Sequence, residues 1–247
     1  MKENKYDDPK FFEKYSQMSR SREGLEGAGE WYLLREMFPD FAQKKVLDLG
    51  CGYGWNCLYA VQQGAKSVLG TDISRKMLET ARQKNAHERI QYCRSAMEDL
   101  EFPPGSFDVV ISSLAFHYVK DFDSLVSKIS QWLTPGGDFV FSVEHPVFTA
   151  YGTQDWFYDE DGKILHFPVD RYYYEGEREA IFLGEKVIKY HRTLTTYLDT
   201  LLQNGFQIRR AAEPKPPADM LDLPGMKDEM RRPMMLLVAA QKRAATE

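Results

Sequence analysis

The run Val46-Leu47-Asp48-Leu49-Gly50-Cys51-Gly52-Tyr53-Gly54-Trp55 constrains the fold of this chain more than any other stretch. Val46, Leu47 and Leu49 read as a buried strand. Gly50, Gly52 and Gly54 read as a turn in which side chains would obstruct a ligand. An amphipathic helix is expected from Trp55 to about Gln63. A glycine turn between a strand and a helix N-terminus is where an α/β protein holds a nucleotide-like cofactor.

The spacing narrows the cofactor. The dinucleotide fingerprint needs a third small residue for close helix–strand packing. Here the glycines run G-x-G-x-G, and Trp55 stands at the third position. No Lys-Ser or Lys-Thr pair follows, so the phosphate-loop motif is absent as well. Such a loop suits a nucleoside cofactor without a pyrophosphate. Ser67-Val68-Leu69-Gly70-Thr71-Asp72 then reads as a short strand ending in an acid. Asp72 lies about twenty residues past the loop, where a ribose-binding carboxylate is expected. Its bland alternative is capping the next helix, a role for which Ser74 competes.

Four segments, taken in order, resemble the class I S-adenosylmethionine-dependent methyltransferases. They are Asp48–Gly54, Gly70–Ser74 with Met77-Leu78, Phe107–Val119, and Leu133-Thr134-Pro135-Gly136-Gly137-Asp138-Phe139-Val140. The resemblance covers residues 46–144. It implies a doubly wound α/β fold, with a mostly parallel seven-stranded sheet of Rossmann-like type and S-adenosyl-L-methionine as cofactor. It implies that the loop around Asp48, Gly50, Cys51 and Gly52 meets the methionyl part and that Asp72 takes the ribose. Ile73 and Met77 would pack on the adenine. The segment Ser95–Leu100 (Ala96, Met97 and Glu98 in particular) would contact the adenine edge. The family often has an acid where Ala96 stands, so the acceptor for the exocyclic amine shifts, to Glu98 or a backbone carbonyl. Ser112 or Ser113 would lie near the sulfonium. Tyr15, and Arg20 after it, would fold over the cofactor from an N-terminal helix, with simple core packing the alternative for Tyr15.

The elements expected from the residues alternate. Helices fall at Phe11–Arg20, Glu30–Phe38, 55–63, 74–84, 121–133 and Thr193–Asn204. Strands fall at 45–49, 67–72, 89–94, 107–112, 137–144, Phe206–Ala212 and Met234–Ala240. This alternation implies a parallel sheet covered on both faces. The last two strands are expected to close it as an antiparallel pair. We read one domain over 1–247: an N-terminal helical cap (1–40), a cofactor core (41–145), an insertion (146–190) and a C-terminal part (191–247). The insertion alternates poorly and is rich in aromatics, among them Phe148, Trp156, Phe167, Tyr172 and Phe182. Leaving the fifth strand at its carboxyl end, it is expected to cap the substrate, with a satellite core or dimer interface as the plainer reading.

Methyl transfer needs a base only if the acceptor must lose a proton. His145 follows the fifth strand and His191 sits where the chain re-enters the core. Both are candidate bases, with local structural roles as the alternative. Glu144 and His117 are weaker candidates. No Asn-Pro-Pro-Tyr or Asp-Pro-Pro-Tyr stretch and no Pro-Cys nucleophile occurs, as nucleic-acid enzymes of the family carry. A net charge of −5 gives no electrostatic reason to expect nucleic acid. Cys51, Cys57 and Cys93 show no metal or disulfide spacing and fit a reducing cytoplasm. No apolar run is long enough for a membrane span, and no signal peptide is apparent. The expectation is a cytoplasmic methyltransferase, monomer or homodimer, acting on an O, N or C atom of a small organic acceptor, without a metal. Alternatives are a non-catalytic cofactor-binding protein, a protein or tRNA methyltransferase, and a nicotinamide-dependent oxidoreductase.

Overall fold

Successive side chains on a strand point to opposite faces, and the central strands are apolar on both. In the computed structural model, which describes residues 4–244, this gives two hydrophobic layers around one sheet. The N-terminal segment forms α1 (Pro9–Ser16), α2 (Ser19–Glu23) and α3 (Trp31–Met37). Then come β1 (Lys45–Leu49), α4 (Trp55–Gln62), β2 (Ser67–Asp72), α5 (Arg75–Lys84), β3 (Ile90–Arg94), β4 (Phe107–Ser113), α6 (Phe122–Trp132) and β5 (Leu133–Glu144). The excursion after β5 holds α7 (Pro146–Thr149), β6 (Phe157–Tyr158), β7 (Ile164–His166), β8 (Gly176–Phe182) and β9 (Glu185–His191). The chain ends with α8 (Leu194–Gln203), β10 (Phe206–Ala212), α9 (Met226–Glu229) and β11 (Met235–Lys242). The outermost residues of the 1–247 domain, 1–3 and 245–247, lie outside the described residues.

The seven-stranded sheet has the order β10-β11-β5-β4-β1-β2-β3. The strands from β5 to β3 pair in parallel, and β11 is antiparallel to both β5 and β10. One layer packs Leu47, Leu49, Val110, Phe139, Phe141 and Val238 against Leu125, Ile129 and Trp132 of α6 and Tyr197 and Leu201 of α8. The other packs Val46, Val109, Ile111, Val140 and Leu237 against Trp31 and Leu34 of α3, Cys57 and Val61 of α4 and Leu78 of α5. Single-residue alternation such as Val109, Val110, Ile111 therefore feeds both cores.

Three expectations need correction. The helix over Phe11–Arg20 is broken, because Met18 is extended (φ −64°, ψ 147°) and starts α2 afresh. The fifth strand begins at Leu133, not 137, with a register shift where Pro135–Gly137 bulges past β4. The poorly alternating excursion contains two hairpins. In β8–β9 the inward positions include Arg178 and Lys189, which pair directly across the strands. Two charges at inward positions hide the period-2 pattern. The turn, Leu183-Gly184, has φ of 53° and 77°. Positive φ at both central residues is the geometry that favours two-residue hairpins, though Asn-Gly is its usual signature.

Candidate active site

The carboxyl ends of β1, β2, β4 and β5 open into a cavity of about 410 Å3. After β1 the chain turns through Gly50 (φ 71°) and Gly52 (φ 53°). A Cβ on Gly50 would stand 2.5 Å from Ala115 Cβ, so that glycine lets two walls meet. A Cβ on Gly52 would meet nothing within 4 Å, so its bare backbone faces open space.

Asp72 ends β2 inside this cavity. Its Oδ2 accepts the Gly52 N–H at 2.9 Å and its Oδ1 accepts the Ser74 N–H at 2.8 Å. Ser74, not Asp72, caps α5, accepting the Met77 N–H at 3.1 Å. Each Asp72 oxygen therefore keeps a lone pair for a ligand hydroxyl. Burial pushes its carboxyl up to about 6, against the opposing pull of the Ser74, Gly52 and Ile73 amides. Ile73, Met77, Ser95, Ala96, Met97 and Glu98 form the adjoining wall, and Ser113 and Leu114 the opposite one. Leu114 has φ of 52°, a strained backbone for a leucine at the mouth of β4.

The N-terminal segment roofs one side with Tyr6, Tyr15, Met18 and Arg20. The break before α2 lets that segment present Met18 and Arg20 to the cavity. Arg20 Nη2 lies 2.5 and 2.6 Å from the two Glu30 oxygens, and Nη1 donates to Ser113 Oγ at 3.4 Å. Asp7 fastens the segment to the core by accepting from Ser74 Oγ at 2.6 Å and Lys76 N at 3.0 Å. The excursion adds Phe148, Gln154, Ile181, Phe182 and Lys189, Met235 begins the last strand with Met234 just before it, and the end of β5 and the turn after β4 supply further lining.

Not every expected residue reaches the cavity. Asp48 is fully buried below the loop, where its Oδ2 accepts from Cys57 Sγ at 3.2 Å and burial raises its carboxyl to about 7. Ser112 spends its hydroxyl on Leu49 O at 2.7 Å. Cys51 lines a side pocket of about 70 Å3, shared with Arg20, Glu30 and Asn56.

Both histidines proposed as bases lie outside the lining. His145 Nδ1 accepts the Val147 N–H at 3.0 Å as the cap of α7, and its Nε2 stands 2.8 Å from Glu213 Oε1. His191 faces the Tyr172 carbonyl with Nε2 at 2.9 Å, so Nε2 carries the proton and Nδ1 accepts from Thr149 Oγ1 at 2.7 Å. The His191 ring has both nitrogens engaged in holding the excursion, and His145 spends Nδ1 on α7 with Nε2 facing Glu213 of the β10–β11 connection. His117 and Glu144, the weaker candidates, do line the cavity. Lys189 and Tyr6 were not foreseen. The one available signal for Lys189 was its inward position in an alternating strand.

A family model described as a methyltransferase domain matches residues 47–141. An uncharacterized protein of Haemophilus influenzae is 33% identical over 249 residues, spanning 96% of each chain. A structure of a proposed S-adenosylmethionine-dependent methyltransferase from Listeria monocytogenes is 55% identical, with a TM-score of 0.85 over 89% of this chain and 99% of that one. An S-adenosylmethionine-dependent methyltransferase from Mesorhizobium loti is 43% identical, with a TM-score of 0.81 over 89% of this chain and 100% of that one.

Proposed function

This chain belongs to the S-adenosylmethionine-dependent methyltransferases, and we propose that it methylates a small organic acceptor held beside the cofactor in one enclosed cavity. The observation that carries this reading is the single volume of about 410 Å3, lined from Asp72 and Met77 at one end to Glu144 and Lys189 at the other. Sites of ~300–1,000 Å3 typically enclose small molecules. An acceptor sharing this volume with a nucleoside cofactor, under Tyr6, Phe148 and Phe182, is small.

The residues present fit the cofactor. Asp72 keeps two lone pairs for the ribose hydroxyls, and the open space above Gly52 leaves its backbone free to approach the methionyl part. Ile73, Met77, Ala96 and Met97 offer an apolar slot for the adenine, and Glu98 an acceptor for its amine. Arg20 and Tyr15 cover the other end, and Ser113 sits between cofactor and acceptor. Bound there, S-adenosylmethionine supplies an electrophilic methyl carbon, which the acceptor's lone pair takes as the carbon–sulfur pair leaves with sulfur. The chain's own task is to orient the acceptor and exclude water. Residues 146–190 act as the substrate cap.

Two measurements test this. Calorimetry with S-adenosylhomocysteine is expected to show binding that weakens by about 1.5–3 kcal/mol in Asp72→Ala, the loss of charged, buried hydrogen bonds. Incubation of a cell extract with methyl-labelled cofactor should then place label in the small-molecule fraction. Label confined to protein or RNA would remove the small-acceptor reading and leave the cofactor site standing.

A further inference from the structure

Beyond the cofactor residues, four elements bring polar groups to the β5 side of the cavity. His117 comes from the turn after β4, Glu144 from the end of β5, Gln154 from the loop after α7 and Lys189 from β9. In the sheet order β5 stands three strands from β2, so at strand spacing this cluster lies about 14 Å from Asp72. It is the far end of the site, where the acceptor belongs.

The cluster holds spare donors beside a carboxylate already paired with an ammonium. Lys189 is 2% exposed, and its Nζ lies 2.6 Å from Glu144 Oε1 and 2.8 Å from Gln154 Oε1. Gln154 Nε2 donates to the second Glu144 oxygen at 2.6 Å. Each oxygen of the carboxylate thus accepts one hydrogen bond within the cluster and its charge is paired with the ammonium, which has three N–H groups and spends two of them here. Phe182 lies 5.2 Å from Nζ and shields it. His117 Nδ1 accepts the Glu144 backbone N–H at 3.4 Å, which places the proton of the neutral ring on Nε2. Burial pushes this imidazole down to about 4, so it is neutral near pH 7 and presents a donor, not a base. His145 and His191 are committed elsewhere. Apolar lining comes from Phe148, Ile181 and Met235, the last paired directly with Glu144 across the strands.

Resting on the small-acceptor reading, we propose that the acceptor is a small organic anion with an apolar body, its ionised oxygen held by Lys189 Nζ and His117 Nε2–H. A carboxylate and a phenolate share this chemistry. An acceptor that arrives ionised already carries its nucleophilic pair. It has no proton to lose, so the new bond to carbon forms without a base, as a site lacking a free one requires. Lys189 is the residue that sets this specificity. The alternative, an amine acceptor, would meet the Lys189 ammonium, and the carboxylate that could draw it in, Glu144, is already charge-paired with that ammonium.

The test is calorimetry on the full chain saturated with S-adenosylhomocysteine. The probes are benzoate, hexanoate and 4-nitrophenol, each at millimolar concentration, against the neutral benzamide and the cationic benzylamine. Binding of at least one anionic probe, about tenfold tighter than benzamide and benzylamine, is expected. Benzoate or hexanoate alone would identify a carboxylate, 4-nitrophenol alone a phenolate. The double variant Glu144→Gln/Lys189→Met removes the ion pair without stranding a buried charge. It should lose that preference while keeping its affinity for S-adenosylhomocysteine, which also reports that it is folded. His117→Phe should weaken the anionic probe several-fold. Tighter binding of benzylamine or benzamide, no binding of any anionic probe, or an unchanged preference in the double variant would each overturn the proposal. Absence of S-adenosylhomocysteine binding to the unaltered chain would instead strike the cofactor reading beneath it.

Discussion

Two carboxyls beside the glycine loop, Asp48 buried and Asp72 partly so, give the cofactor site an opposed response to pH. Burial raises Asp72 to about 6 and Asp48 to about 7, both above their unfolded value of 3.8. A raised carboxyl favours the folded state at low pH. That contribution is complete below about 4 and is lost as pH climbs to about 6 for Asp72 and about 7 for Asp48. For Asp72 the span corresponds to about 3 kcal/mol at 1.36 kcal/mol per pKa unit. Ribose hydroxyls, however, donate to the ionised form. Affinity for S-adenosylhomocysteine is therefore expected to fall as pH drops below about 6. Asp48→Asn removes only the stability term, so its melting temperature relative to the unaltered protein should rise between pH 4 and pH 7. Calorimetry and thermal denaturation across that range check both trends, and a flat affinity profile would show that Asp72 does not titrate at the site. Asp72 was legible in the sequence because loop, strand and acid are neighbours in the chain. Arg20 was expected with Tyr15 from the family resemblance, whereas Tyr6 and Lys189 were not, because only the folded chain brings such distant segments onto one cavity. The same holds for the histidines: position pointed to the site, while their partners Val147, Thr149 and Tyr172 hold them out of it.

Among the elements, the connection between β10 and β11 acts on the excursion through Arg232. Its guanidinium lies 4.6 Å from the Phe148 ring centre and 4.9 Å from those of Trp156 and Phe167. It also pairs with Glu229 at 2.9 and 3.0 Å and is 8% exposed. Phe148 lines the cavity, so this cage braces one wall of the site from outside. A desolvated cation–π contact is worth up to ~2 kcal/mol. Arg232→Met keeps much of the stem but loses the charge. It is expected to destabilise the protein by about 1–2 kcal/mol, a fall in Tm of roughly 2–6 °C, with faster amide exchange over 156–167. An unchanged Tm would show that the cage bears no load. Core strands and helices were readable because apolar runs and glycine or proline punctuation agree there. The cage and both hairpins were not, since the aromatic-rich insertion with Trp156 and Phe167 carries no sign that Arg232 packs between rings 65 and 76 positions away.

At the scale of the whole molecule, the cavity is walled by parts of the chain that share no sequence neighbourhood: the N-terminal segment, the sheet edge, the excursion and the last strand. Binding at such a site should tighten all of them together. A ligand at one hundred times its dissociation constant adds ~2.7 kcal/mol to stability. Hydrogen exchange with saturating S-adenosylhomocysteine is expected to slow over residues 6–20 and 95–98 as well as 50–77. Protection confined to 50–77 would mean that the N-terminal roof does not engage the cofactor. Lastly, the hydrogen bond from Thr149 to His191 joins residues 42 positions apart at the two feet of the excursion. With its feet buckled together, the segment between them is expected to behave as a cassette, exchangeable while the glycine loop and Asp72 remain untouched. Variation in the methyl acceptor across such a scaffold would then be inherited through this cassette, independently of the methyl donor.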